Sequence, residues 1–185
     1  FALAQAGVMA FQASLSTAKD AVVDLVKTGI QMQNLRTSFA AARGSAKAGA
    51  EDFRFVVKTA NELGLGLQSV AEQYRSLAAA TRGTTLQGAD TPELFTTLSK
   101  AAQAYGLSTE QLGRAMTAFQ QIISKGKVSM EELSGQLGEA IPGAMQIAAR
   151  AYGTNTQALQ DMIEKGVAAE GFVRRFMVQL GAEVP

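Results

Sequence analysis

Three glutamates lie close together in the sequence, at Glu131, Glu132 and Glu139. Paired carboxylates can act as general acid and general base when their surroundings separate their pKa values. The spacing favours a structural role instead, because Ser129 and Glu132 have the spacing of a capping box. Glu131 would add negative charge at the same helix N-terminus, where the helix dipole favours it. We therefore predict helix capping by these acids rather than acid–base catalysis.

Two lysines flank a glycine just before these acids, in Lys125-Gly126-Lys127. Such a cluster could contact phosphate, but the G-x-x-x-x-G-K-[ST] spacing of a P-loop is missing. Lysines near a helix C-terminus complement the helix dipole, and glycine commonly ends a helix. We therefore predict a helix end here, with contact to a partner as the alternative role. Asp161 and Glu164, beside Lys165, are predicted to form a solvated helix face.

The composition excludes several classes of chemistry. The 185 residues include no histidine and no cysteine, which excludes disulfides, the usual zinc sites and Ser-His or Cys-His catalysis within this chain. The formal net charge is +1, so no strong field gathers nucleic acid or anionic lipid. We expect no enzymatic activity, no cofactor and no direct nucleic-acid binding.

The elements that must position these residues are helices. Apolar or small residues recur at heptad spacing from Phe11 to Met32, and Gly44-Ser45 would end a long helix. No segment shows the alternation of a strand. The sequence predicts an all-α fold: a multi-helix bundle of short capped helices preceded by a long N-terminal helix. We expect residues 1–44 to form that helix, which protrudes or self-associates, and residues 45–185 to form the compact domain.

Start signals divide the compact domain into short helices. Thr91-Pro92 predicts an N-cap followed by a proline in the first helical position. Three pairs have the capping-box spacing, namely Ser108 and Gln111, Ser129 and Glu132, and Thr154 and Gln157. We expect about eight helices, with residues 82–90 as the longest loop.

One pattern occurs three times: an alanine four residues before a glycine, and a valine or leucine six residues after it. The copies are Ala60/Gly64/Val70, Ala102/Gly106/Leu112 and Ala149/Gly153/Leu159. The pattern predicts a helix, a left-handed glycine at its end and the first buried residue of the next helix. A degenerate repeat of stacked hairpins is the alternative interpretation.

A proline and a glycine adjoin in Ile141-Pro142-Gly143-Ala144. Proline suits the first position of a helix, whereas a glycine directly after it weakens that helix. We therefore expect another backbone to approach Gly143 closely, because glycine has no Cβ to obstruct it.

Residues 124–144 combine these elements in a fixed order: Lys-Gly-Lys, Ser-x-Glu-Glu-Leu, Gln-Leu-Gly-Glu and Pro-Gly-Ala. This segment resembles the hallmark segment of phage tail tape-measure proteins, and residues 118–129 resemble its helix-to-loop lead-in. The resemblance extends over roughly residues 40–181. Ser134-Gly135 stands where the family more often has helix-favouring residues, so we expect that short helix to fray.

The resemblance implies a structural virion protein of a long-tailed phage or prophage. Such proteins set tail length, organise tail-tube assembly and take part in genome delivery. The chain begins with Phe1 and ends with Pro185, and we expect it to be the N-terminal domain of a longer protein. It would lie in the virion tail, and in the host cytoplasm during assembly.

The implied partners are tail-tube and tail-tip or tail-assembly proteins, together with further copies of the chain as a homo-oligomer. Membrane contact is expected only for the full-length protein. The partner-binding candidates are Lys125, Lys127, Glu131, Gln136, Pro142 and Gly143. The alternatives are a generic helical interaction module and a membrane-active bundle, which the near-neutral charge disfavours.

Overall fold

Helices make up almost all of the regular structure in residues 27–184, the part of the chain that the computed structural model describes. The exception there is an isolated antiparallel β-bridge between Lys127 and Ala168. The predicted all-α fold is confirmed. These residues form two compact units, one that ends at Phe53 and one that begins at Arg54. Most of the heptad pattern that begins at Phe11 lies outside the described residues, so its role stays a prediction.

In the first unit, residues 27–43 belong to helix α1, and helix α2, Ala46–Leu63, begins after a short turn at Gly44. The two backbones approach so closely that a Cβ added to Gly49 would overlap backbone atoms of Ala40. Only glycine fits this position without moving a helix. An ion pair between Arg43 Nε and Asp52 Oδ2, at 3.1 Å, also joins the two helices.

The second unit contains the end of α2 and the helices that follow. Their bounds are Leu67–Thr81 for α3, Asp90–Ala104 for α4, Thr109–Lys125 for α5, Ala144–Ala151 for α7, Thr156–Lys165 for α8 and Ala169–Glu183 for α9. Helix α6 is a π-helical segment, Glu131–Leu137, continued by one turn, Gly138–Ala140. Helix α5 packs against α3, α4, α6 and α9. The ring centroids of its buried Phe119 and of Phe176 in α9 lie 5.4 Å apart, so these two helices contact each other within the core.

The repeated alanine–glycine pattern ends three helices in the same way. Gly64, Gly106 and Gly153 have φ values of 63–64°. The residue after each glycine donates its N–H to the carbonyl of the patterned alanine, as in Leu107 N to Ala102 O at 2.8 Å. This is the Schellman motif, which satisfies carbonyls that the helix end leaves free. The residues six positions on, Val70, Leu112 and Leu159, are all buried, so the predicted helix ends are confirmed.

The predicted helix starts had mixed outcomes. The Ser108–Gln111 capping box is present, with Gln111 N donating to Ser108 Oγ at 3.1 Å and Ser108 N to Gln111 Oε1 at 2.9 Å. The predicted Thr154–Gln157 box is wrong. The N–H of Thr154 is bonded to the previous helix, so the next residue, Asn155, is the N-cap of α8.

The predicted cap at Thr91 is also wrong, because α4 begins one residue earlier, at Asp90. Thr91 is buried instead, and its hydroxyl donates to Leu86 O at 2.9 Å and lies 2.8 Å from Thr81 Oγ1. Pro92 is therefore in the first turn of α4 but not in its first position. Its lack of an N–H costs no helical hydrogen bond, because the N–H groups of the first turn have no partner within the helix.

Residues 82–89 form the longest connection between the described helices, as predicted. Arg174 of α9 holds this loop with its guanidinium, which lies 2.6 Å from Thr85 O and 2.7 Å from Asp90 Oδ2. Thr85 N in turn donates to Glu170 Oε2 at 3.0 Å. Arg174 and the adjacent Arg175 are both exposed, and Arg175 also makes a contact, because its guanidinium lies 5.3 Å from the centre of the Tyr152 ring.

Candidate partner-binding site

The segment that resembles the family hallmark begins where α5 ends. Gly126 is the left-handed C-cap of α5, as the Lys-Gly-Lys pattern predicts. The chain then pairs with the strand-like stretch before α9, with Val128 N donating to Val167 O at 3.0 Å and Ala169 N to Gly126 O at 3.1 Å. Val128 is buried. These bonds hold the start of the segment against a part of the chain that is distant in sequence.

Glu132 is the most unusual residue of the segment, because its side chain is 0% exposed. Its carboxylate accepts hydrogen bonds from Lys125 Nζ and from Ser129 Oγ. Burial raises the pKa of Glu132, but the bonds from Lys125 and Ser129 outweigh that effect and hold the pKa below its ordinary value. The bond to Glu132 raises the pKa of Lys125. The pair is therefore fully ionised at neutral pH.

This arrangement corrects the predicted capping box at Ser129 and Glu132. Met130 precedes the helix as its N-cap residue, and no side chain caps it. Glu132 contacts the side chain of Ser129 and is directed into the core. No local sequence signal indicates this burial, because the spacing of Ser129 and Glu132 fits an exposed helix start equally well.

The π-helical geometry of Glu131–Leu137 explains how an acid reaches the buried face. In an α-helix, residues five apart point about 140° away from each other. A π-helix bonds each residue to the one five positions on, so such residues lie nearly on one face. Glu132 and Leu137 are five apart and both buried. The segment is thus a wide turn with a polar anchor, where the sequence predicted a short α-helix that frays.

Pro142 and Gly143 form a tight turn before α7. Ala144 N donates to Ile141 O at 3.1 Å, and Gly143 has φ 75° and ψ 18°. Proline in the second position and a glycine with positive φ in the third are the features of a type II turn. The predicted close approach at Gly143 is wrong, because an added Cβ would meet only Gln146 Oε1, at 3.8 Å. Gly143 is needed for its backbone conformation, and Pro142 precedes α7 instead of starting it.

The six candidate residues occupy the outside of this anchored segment. Lys125, Lys127, Glu131, Pro142 and Gly143 are exposed, and Gln136 is half-buried. Lys125 is partly engaged by Glu132, with 49% of its side chain exposed. The buried Val128, Glu132, Leu137 and Ile141 fix the backbone beneath them. Their role in partner binding stays a prediction.

Within residues 27–184, no group of three or more His, Cys, Asp or Glu side chains could hold a metal ion. The helices in the same range are all too short or too polar to span a membrane.

A family model described as "Tape measure protein" matches residues 24–183 of this chain. A probable tape measure protein of Salmonella phage Felix O1 (isolate Felix O1-VT1) is similar, with 32% identity over 142 residues. The match covers 76% of this chain but only 19% of the relative, so the chain spans about a fifth of the relative's length. No solved structure matches the chain. Because the family model covers most of its length, the chain belongs to the tape measure protein family.

Proposed function

We propose that this chain is a protein-interaction module of a phage tail and that it binds other tail proteins through the exposed side of residues 124–144. Membership of the tape measure protein family supports a structural role in the tail. That family is structural and is not a known class of enzyme, which supports a module without catalytic activity. The observation that carries the binding role is the anchored segment, with exposed side chains above buried ones.

The anchoring supports binding because it reduces the entropy lost on association. A surface that already has its bound conformation gives up less conformational freedom when a partner arrives. The backbone hydrogen bond from Val128 to Val167, the buried Glu132 and the turn at Pro142-Gly143 hold the backbone at three points. The exposed residues between them are thus presented in one arrangement.

The charges of the segment indicate the character of the partner surface. Lys125 is bonded to Glu132, so Lys127 is the more available positive charge, and Glu131 and Glu139 are the exposed negative charges of the segment. Complementary charges raise association rates and exclude wrong partners more than they raise affinity. We propose a partner with an acidic group opposite Lys127 and a basic group opposite Glu131, on a tail-tube or tail-assembly protein.

The test uses the full-length protein of the parent phage with Lys127→Glu or Glu131→Lys. Either reversal should reduce co-purification with tail proteins and the yield of tails, whereas the matched control Lys100→Glu, an exposed charge on α4, should not. Reversing a rim charge mainly slows association, and salt screens interactions between exposed charges, so the defect should be largest at low salt and shrink at higher salt. Normal tail yield with both reversals would overturn the proposed surface.

The wider role follows from the family and is part of the same proposal. The module would act in the virion tail and, during assembly, in the host cytoplasm. The whole protein would set tail length and take part in genome delivery. Tail lengths measured by electron microscopy separate these roles, because a module that only recruits partners should change the number of tails and not their length.

A further inference from the structure

A cavity of about 250 Å³ lies beside the turn after α2 and the turn that joins α4 to α5. It is separate from residues 124–144, and it lies wholly in the second unit. We propose that this cavity receives a tyrosine side chain of a partner protein. That the partner is a tail protein rests on the proposed function. That the side chain is a tyrosine rests on the cavity itself.

The polar requirement comes from Ser99 of α4, which lines the cavity. Ser99 is 2% exposed, and its hydroxyl has no hydrogen-bond partner. A buried hydroxyl without a partner is unfavourable, and most buried polar side-chain atoms in folded proteins have one. Ser99 therefore supplies a hydrogen-bonding group to whatever enters the cavity.

The apolar requirement comes from the walls. Leu65 and Leu107, the residues after the glycines of two Schellman turns, both line the cavity and are only half-buried. In this motif the corresponding side chain usually packs against its own helix. Here two of them border the same opening, above the buried Ala102 and Leu112. A partner group that covers them would remove apolar surface from water.

The size indicates one side chain rather than a free ligand. Sites for drug-sized molecules usually measure about 300–1,000 Å³, and this cavity lies below that range. The rim is polar, with exposed Gln103, Ser108 and Thr109. A pocket with apolar walls and a polar edge suits an aromatic anchor of the kind that dominates many interfaces.

Tyrosine meets both requirements, because its ring is apolar and its hydroxyl can pair with Ser99 Oγ. Phenylalanine would leave Ser99 without a partner. A carboxylate would be favoured by the dipole at the start of α5, but the leucine walls would leave a charge poorly solvated. Ordered water is the remaining possible occupant, and the experiment distinguishes a water-filled cavity from one that binds a phenol.

The experiment titrates the 185-residue chain with p-cresol, which has the atoms of the tyrosine side chain, and with toluene, which lacks the hydroxyl. Binding is followed through the methyl NMR signals of Leu65, Leu107 and Ala102 at millimolar ligand. We expect p-cresol to bind more tightly than toluene. Ser99→Ala should weaken p-cresol about fivefold, the factor for one hydrogen bond of about 1 kcal/mol, and leave toluene unchanged.

Ser99→Ala should fold, because it removes a hydroxyl that makes no bond, and Ser76→Ala on the exposed side of α3 is the matched control. Equal binding of the two compounds, or a p-cresol preference that survives Ser99→Ala, would overturn the assignment of a phenol. Unshifted methyl signals would identify a cavity filled by water only. None of these results bears on the proposed function, because this assay contains no tail protein. The proposed function is tested separately, by the charge reversals at Lys127 and Glu131.

Discussion

Replacing Glu132 by glutamine should destabilise the chain, although the side chain keeps its shape. The carboxylate accepts bonds from Lys125 and Ser129 in a fully buried position. A hydrogen bond to a charged group contributes about 1.5–3 kcal/mol and a neutral one about 0.5–1.5 kcal/mol. Two weakened bonds, offset in part by the easier burial of an amide, give a loss of about 2 kcal/mol. For a chain of this size that is a fall in Tm of about 4–8 °C.

The matched control is Glu131→Gln, the same chemical change on the adjacent exposed residue. Thermal and urea unfolding of both variants, followed by circular dichroism, measure the difference. The Glu131 variant should stay near the wild type, because an exposed acid loses little on neutralisation. Equal destabilisation by the two changes would contradict the argument from burial.

The pH dependence tests the cause. The pKa of Glu132 is lowered in the folded state, so its contribution is fully present above the ordinary value of 4.5. As the pH falls below 4.5 toward the lower folded pKa, the carboxylate is protonated and this contribution disappears. The stability difference between wild type and Glu132→Gln should therefore be constant near neutral pH and shrink below 4.5. A difference that persists unchanged in acid would show that charge is not the cause.

A double substitution tests most directly whether Lys125 and Glu132 stabilise the chain as a pair. Lys125→Met alone leaves the buried carboxylate without its cation and should destabilise the chain more than Glu132→Gln does. Lys125→Met combined with Glu132→Leu should recover much of that loss, since replacing both partners of a buried pair by apolar groups is often neutral. A double variant less stable than Lys125→Met would refute the reasoning.

Three further predictions concern the 82–89 loop, the turn at Gly143 and the N-terminal region. Replacing Arg174 by methionine should release the 82–89 loop, and hydrogen exchange at the Thr85 amide should then accelerate; unchanged exchange would mean that Arg174 does not hold the loop. Gly143→Ala should lose about 1–2 kcal/mol in chemical unfolding because of its positive φ, whereas Gly135→Ala, with open space and ordinary φ, should be neutral or slightly stabilising. Deleting residues 1–42 should lower the oligomeric state measured by light scattering, and an unchanged mass would rule out self-association through that region.

Local signals in the sequence predicted the described helix ends well. A left-handed backbone is accessible mainly to glycine, so Gly64, Gly106 and Gly153 could be recognised from the sequence as helix ends. The Ser108–Gln111 box likewise depends on residues three apart. The family was also readable from the ordered motifs of residues 124–144. The proposed division at residue 44 and the partner-binding role of the six candidates stay predictions.

Helix starts were less predictable, because competing bonds come from neighbouring turns. Thr154 was already engaged by the end of α7, which left Asn155 to cap the next helix. Thr91 had the right residue type for a cap, but its hydroxyl is used in the core by Leu86 and Thr81. A short motif cannot show which of several acceptors a hydroxyl will meet.

The sequence by itself determined the helical class, the glycine-ended turns and the family, because each depends on residues within one or two helical turns of one another. The tertiary structure alone decided that Glu132 is buried against Lys125, that Lys127 pairs with Ala168 and that Ser99 faces a cavity. These features join helices that the chain brings together only on folding. Burial and pairing are properties of the packed core, so no local pattern of residue types specifies them.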